Sequence, residues 1–179
     1  MLQIRGSVFE TNSSSTHSIC ISKAKAKIPQ NYTLRFRLDE YGWEEDAVYD
    51  TASYLYTAIM DGPDNLVELR MDKLKASLDN LGIKSEFDEP KIDCWGCRNY
   101  GIDHSYECAD LIDALLSDED LLARYLFGDS VIYTGNDNSD GDPETFDQAL
   151  EYVLDDDSYE YVKNPYHDET KYDYFWKGN

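Results

Sequence analysis

Cys94-Trp-Gly-Cys-Arg-Asn-Tyr-Gly-Ile-Asp-His-Ser-Tyr-Glu-Cys108 holds three of the chain's four cysteines and one of its three histidines. How this stretch is read decides the fold class. A Cys-x-x-Cys pair in a βαβ context marks a redox protein, whereas the same pair in a loop marks a metal clip. The residues ahead of it, Glu86-Phe-Asp-Glu-Pro-Lys91, are too polar for a buried central strand, so the segment reads as a loop. Cys94, Cys97, His104 and Cys108 fall in the pattern C-x2-C-x6-H-x3-C. Gly96 permits the tight turn that lets two sulfurs converge on one ion, at about 2.3 Å each for tetrahedral zinc. Three thiolates and an imidazole suit Zn2+ better than calcium or magnesium, and four protein ligands make the site closed and structural. Buried free thiols and redox chemistry are the competing readings. His17 and Cys20 have their own H-x2-C spacing and offer replacements for His104 or Cys108 if the N-terminal strand lies alongside.

Working outward, the flanks alternate between the two structural periods. Residues 2–10 and 17–23 are short alternating runs joined by the polar stretch Glu10 to Thr16, which suggests strand, loop, strand. Tyr32-Thr-Leu-Arg-Phe-Arg-Leu38 has a period of two, with Leu34, Phe36 and Leu38 on one face. A helix is expected from Glu44 to Met60, stopped by Asp61-Gly-Pro63. A second follows, capped at Asn65, with Val67, Met71, Leu74, Leu78 and Leu81 inward and Gly82 at its end. Ile83 to Asp88 is a short strand. Beyond the cysteine segment, residues 109–116 and 118–127 read as short helices, and Ser130 to Thr134 as an interior strand. A last helix runs from Pro143 to Leu154, and a terminal strand packs on the sheet. The expectation is an α+β protein, residues 1–179 as a single domain, with an antiparallel or mixed sheet of short strands. Four to five helices and a zinc-clipped loop at 94–108 complete it, with an acidic C-terminal region at 136–179.

Composition narrows the function. With 16 Lys plus Arg against 37 Asp plus Glu, the net charge is -21 and the pI near 4.2. That field opposes direct binding to nucleic acid or to an anionic membrane and favours a basic partner. The start of the chain lacks the features of a secretory signal and no segment has the length of a membrane span, so a cytoplasmic protein is expected. There, cysteines serve as thiols or metal ligands rather than disulfides. No Walker loop, H-E-x-x-H or nucleophile elbow is found, and the deaminase pattern has no counterpart upstream of Cys94. The loop at 136–147 approaches a calcium loop, but Asn136 and Asp147 depart from its first and last ligands.

The helix expected at 143–154 aligns Glu144, Asp147, Glu151 and Asp155 on one face, about 5–6 Å apart, and Asp156 and Asp157 extend the charge. Such a row has a spacing like that of phosphates along a nucleic-acid strand. These six carboxylates are the candidate partner-binding residues. A solvated acidic face is the plainer account of the same pattern.

Three further stretches carry a resemblance: Phe9-Glu-Thr-Asn-Ser-Ser-Ser-Thr-His-Ser18, the Cys97 to His104 segment, and Leu126-Phe-Gly128 followed by Ile132-Tyr-Thr-Gly-Asn-Asp137. They resemble small acidic proteins encoded by bacteriophages and prophages, among them zinc-containing anti-CRISPR inhibitors of type II effector nucleases. The resemblance implies a stoichiometric inhibitor. It would bind a basic surface of a host RNA-guided DNA nuclease and block loading of target DNA, with zinc bracing the fold and no catalytic residues. The rival readings are a zinc-dependent enzyme, and a phage structural or accessory protein that binds another phage protein.

Overall fold

The computed structural model describes residues 15–42, 46–91, 98–103, 108–136, 152–155 and 160–177. In chain order these form β1 (Ser15–Ser22), β2 (Thr33–Phe36), β3 (Glu40–Tyr41), β4 (Asp46–Val48), α1 (Thr51–Met60) and α2 (Asp64–Asn80). There follow β5 (Lys84–Phe87), β6 (Gly101–Ile102), α3 (Ala109–Ser117), α4 (Glu119–Phe127), β7 (Val131–Asn136), β8 (Tyr152–Asp155), β9 (Glu160–Lys163) and β10 (Tyr172–Lys177). The class is α+β, with four helices among the described residues and sheets of mixed direction.

The main sheet is antiparallel with strand order β10-β1-β7-β4. β1 lies inside it, with Ile19 opposite both Phe175 and Ile132. Alternation gives this strand two buried faces. His17, Ile19 and Ile21 point one way and Ser18, Cys20 and Ser22 the other, and all six are buried. Two parallel pairs, β2 with β5 and β3 with β6, and the antiparallel pair β8 with β9 complete the strands.

α1 is the centre of the core. Every residue from Thr51 to Ile59 is buried, the mark of a helix enclosed on all sides. Ile19, Ile21 and Ile132 of the sheet, Leu74 and Leu78 of α2, Leu111, Ile112 and Leu115 of α3, and Leu122 and Tyr125 of α4 share its hydrophobic cluster. Its polar residues are satisfied within the fold: Ser53 Oγ accepts from Arg37 N and donates to Asp50, and Thr51 Oγ1 donates to Tyr125 O.

Three expectations change. The helix expected from Glu44 starts only at Thr51, because Asp50 accepts a hydrogen bond from Ser53 N and fixes the start there. Ahead of it, Ala47 and Val48 join β7 as strand β4. The second helix starts at Asp64 behind Pro63, one residue before the expected cap, and Gly82 ends it in the left-handed region at φ +71°. The last helix does not reach Leu154. Residues Tyr152 to Asp155 form β8, paired with Glu160 to Lys163, since Tyr-Val-Leu and Tyr-Val are sequences that suit a pleated hairpin. The strand expected at 2–10 and the body of the helix at 143–151 lie outside the described residues. No helix among the described residues is long and apolar enough to cross a membrane.

Candidate metal centre

Of the four expected zinc ligands, Cys108 is described and Cys94, Cys97 and His104 lie outside the described residues. Cys108 is buried, 2% exposed, at the N-terminus of α3. Its Sγ is 3.6 Å from the hydroxyl of Tyr54, which α1 carries into the middle of the core. On its other side that hydroxyl meets His17 Nδ1 at 2.7 Å. His17 and Tyr54 are both fully buried. A line of three groups, imidazole, phenol and thiol, therefore runs from β1 through α1 to the start of α3.

The described middle of the cysteine segment packs beside this line. The 98–103 stretch is fixed by β6 beside β3, where Asp103 N donates to Tyr41 O at 2.9 Å and Gly101 N to Asp39 O at 3.1 Å. Asp61, at the end of α1, accepts from Ile102 N at 3.1 Å. Arg98 bonds Asp64 at 3.2 Å and Met60 O at 3.4 Å. Gly42 follows β3 at φ +106°, a conformation that favours glycine. A Cβ there would stand 2.7 Å from His17 Nε2 and 3.0 Å from Asp103 Cβ. Nε2 thus faces the turn where the chain leaves the 98–103 stretch, while Nδ1 faces Tyr54.

The surroundings hold the phenols neutral. Burial pushes Tyr54 well above its ordinary pKa, with Cys108 adding to the effect, and burial followed by Cys108 does the same to Tyr125. Tyr41 stacks at a tilt on Tyr54 with ring centroids 5.1 Å apart. Tyr125 is 1% exposed, and its hydroxyl has no hydrogen-bond partner among the described residues. A neutral Tyr54 hydroxyl donates one hydrogen bond and accepts others, so two arrangements fit: Cys108 S–H donates to Tyr54 and Tyr54 to Nδ1, or Nδ1–H donates to Tyr54 and Tyr54 to Cys108 Sγ, the two differing only in the imidazole tautomer. Among the described residues, no group of three His, Cys, Asp or Glu side chains converges as a metal site.

Cys20 is set apart from this line. It lies on the opposite face of β1, where burial raises its thiol to about 12 against hydrogen bonds from Ser18 and Asn164 that lower it. Of the two alternative ligands, the fold brings His17 toward Cys108 and turns Cys20 away. Tyr54 and Gly42 were not singled out in the sequence, where a tyrosine in an apolar helix gives no sign of a polar role.

Of the partner-binding candidates, Asp155 ends β8 in register with Glu160 on β9. Glu144, Asp147, Glu151, Asp156 and Asp157 lie outside the described residues. Asp155 therefore does not continue a helical row from Glu151. Compared with protein-family models, curated proteins and solved structures, the chain matches none.

Proposed function

We propose that the protein is a stoichiometric, non-enzymatic inhibitor of the anti-CRISPR type, which binds a basic surface of a host RNA-guided DNA nuclease and keeps target DNA from loading. Surplus carboxylate carries this reading. The net charge is -21, and six cations of the described residues pair with the protein's own acids. Lys23, Arg35, Arg70, Arg98, Arg124 and Lys171 each hold a carboxylate at 2.9–3.5 Å. The excess acid is left to act on a partner, and a nuclease with a basic channel for its guide–target duplex is a partner of matching charge. The hairpin of β8 and β9 sets Asp155 in register with Glu160. In this proposal a structural zinc at Cys94, Cys97, Cys108 and a histidine braces the scaffold and takes no part in chemistry.

The test is a titration of guide-loaded nuclease with the protein over a range of salt. Affinity should fall steeply as salt rises, and salt-independent binding, or none, would refute the proposal. Reversing Glu151 and Asp155 to lysine should weaken binding while leaving the melting temperature near its starting value. Unchanged binding by that variant would exclude these two residues as contacts.

A further inference from the structure

We propose that the tyrosine-bearing face of the main sheet, gathered around Asp129, is the docking surface for an arginine-bearing segment of a basic protein partner. The inference rests on the charge reading above and deepens it, naming where the partner's cations are received. Strand register builds this face. Tyr133 on β7 stands opposite Ser18, and Tyr174 and Tyr172 on β10 stand opposite Cys20 and Ser22, so all share the side of β1 turned away from Ile19 and Ile21. The side toward α1 is aliphatic; this one is phenolic. Tyr49 follows β4, just beyond Ala47, which is itself opposite Tyr133, and is 67% exposed. Tyr166, from the connection between β9 and β10, lies across the same side, its ring centroid 6.3 Å from that of Tyr133 and 5.0 Å from that of Tyr172.

Asp129 supplies the charge. Its exposed carboxylate accepts from the Tyr166 hydroxyl at 3.1 Å on Oδ1 and from the Tyr172 hydroxyl at 3.4 Å on Oδ2, which fixes both half-buried rings beside it and leaves it further lone pairs. Among the described residues no cation forms an ion pair with it. Rigid aromatic rings with one anion among them suit a guanidinium. That group is planar, stacks on aromatic faces, gives up water more readily than an ammonium and forks onto a carboxylate. An apolar partner would cover the rings only by stripping water from Asp129 with nothing in return. A nucleic-acid strand could stack its bases here, but its phosphates would meet Asp129 and the field of a chain with net charge -21.

Two measurements on the full chain test the surface separately from the identity of the partner. In the first, hexa-arginine and hexa-lysine peptides are titrated into the unmodified protein at about 150 mM salt, with the tyrosine ring resonances followed by NMR. Hexa-arginine should bind at least about threefold more tightly than hexa-lysine and shift the rings of Tyr49, Tyr166 and Tyr172. Equal affinity for the two peptides, or shifts confined to other tyrosines, overturns the proposal without recourse to any variant. In the second, guide-loaded nuclease is titrated with Tyr49→Leu and Tyr49→Phe. Losing the ring should weaken binding about fivefold, and keeping it without the hydroxyl should leave binding within about twofold of the parent. A leucine variant that binds as tightly as the parent overturns the proposal. Should the nuclease fail to bind even the parent while hexa-arginine docks on these rings, the choice of partner falls and the arginine-binding surface is upheld.

Discussion

Replacing Tyr54 with phenylalanine should cost this protein about 2–3 kcal/mol of stability, more than removing any comparably placed phenol. The ring fills the same space, so no cavity term arises; what is lost is one oxygen that meets His17 Nδ1 at 2.7 Å and Cys108 Sγ at 3.6 Å in a region closed to water. Taking away one partner from a buried polar group costs about 1–3 kcal/mol, and the longer contact to sulfur adds a fraction of that. For a chain of this length each kcal/mol moves Tm by about 2–4 °C, which gives a fall of roughly 5–10 °C. Tyr56→Phe is the internal control. Its hydroxyl donates to Asp88 O at 2.6 Å from the same helix, in a partly buried setting, and its loss should cost only about 1 kcal/mol. Urea denaturation of both variants and the parent, fitted with a common slope, gives the comparison. If Tyr54→Phe is no more destabilised than Tyr56→Phe, the imidazole–phenol–thiol line contributes nothing special to the fold.

Two more outcomes follow from the same geometry. Gly42→Ala should destabilise by about 2 kcal/mol or more, since φ is +106° and the new methyl would sit 2.7 Å from His17 Nε2; thermal melts check it, and a shift under 1 °C would contradict the close approach. Cys20 should make the fold weaken in alkali. Its thiol ionises at about 12 when folded against 9.0 unexposed to the fold, so above pH 9 the unfolded chain holds fewer protons and stability falls as pH rises, by on the order of 1 kcal/mol at pH 10. Tyr166 and Tyr174, also raised to about 12 by burial, fall in the same window, so the measured quantity is the difference in slope between wild type and Cys20→Ala. Identical slopes would show that Cys20 is not held neutral by the fold.

Much of the architecture was legible because local rules and tertiary packing agree. The stripe of Leu74 and Leu78, the alternation of Leu34 and Phe36, and the β-branched run at Val131 and Ile132 each become core. Where they disagreed, the reason is specific. Ala47 and Val48 satisfy a helical period as well as a strand period, and only the Asp50 cap tells where α1 begins. Tyr152 to Leu154 fit the end of an amphipathic helix, but the second strand that pairs with them is supplied by residues after the acidic turn, which periodicity in one segment does not reveal. His17 and Cys20, at H-x2-C spacing, were each open as a replacement for His104 or Cys108. In a strand an offset of three puts two side chains on opposite faces, so the same spacing that suits a turn separates the groups here. His17 then meets Cys108 through Tyr54, a relation between three distant elements with no sequence signature.

The surplus acid and the buried line meet in the way salt should act. Mutual repulsion of the carboxylates opposes compaction, and each of the six paired cations relieves it locally, as when Arg124 joins Asp120, Asp173 and the Ser22 carbonyl at 2.8–3.1 Å. Added salt screens the remaining repulsion between exposed acids far more than it weakens the half-buried contacts of Arg124 or the neutral bonds around Tyr54. It also screens any attraction to a basic partner. The same carboxylates should therefore give opposite responses: thermal stability rising between 50 and about 300 mM salt, on the scale over which surface charges lose sight of one another, while affinity for a cationic surface falls. A protein whose stability and partner affinity both fell with salt would be held together by its surface ion pairs, and the acid excess would then be a structural feature rather than a binding one.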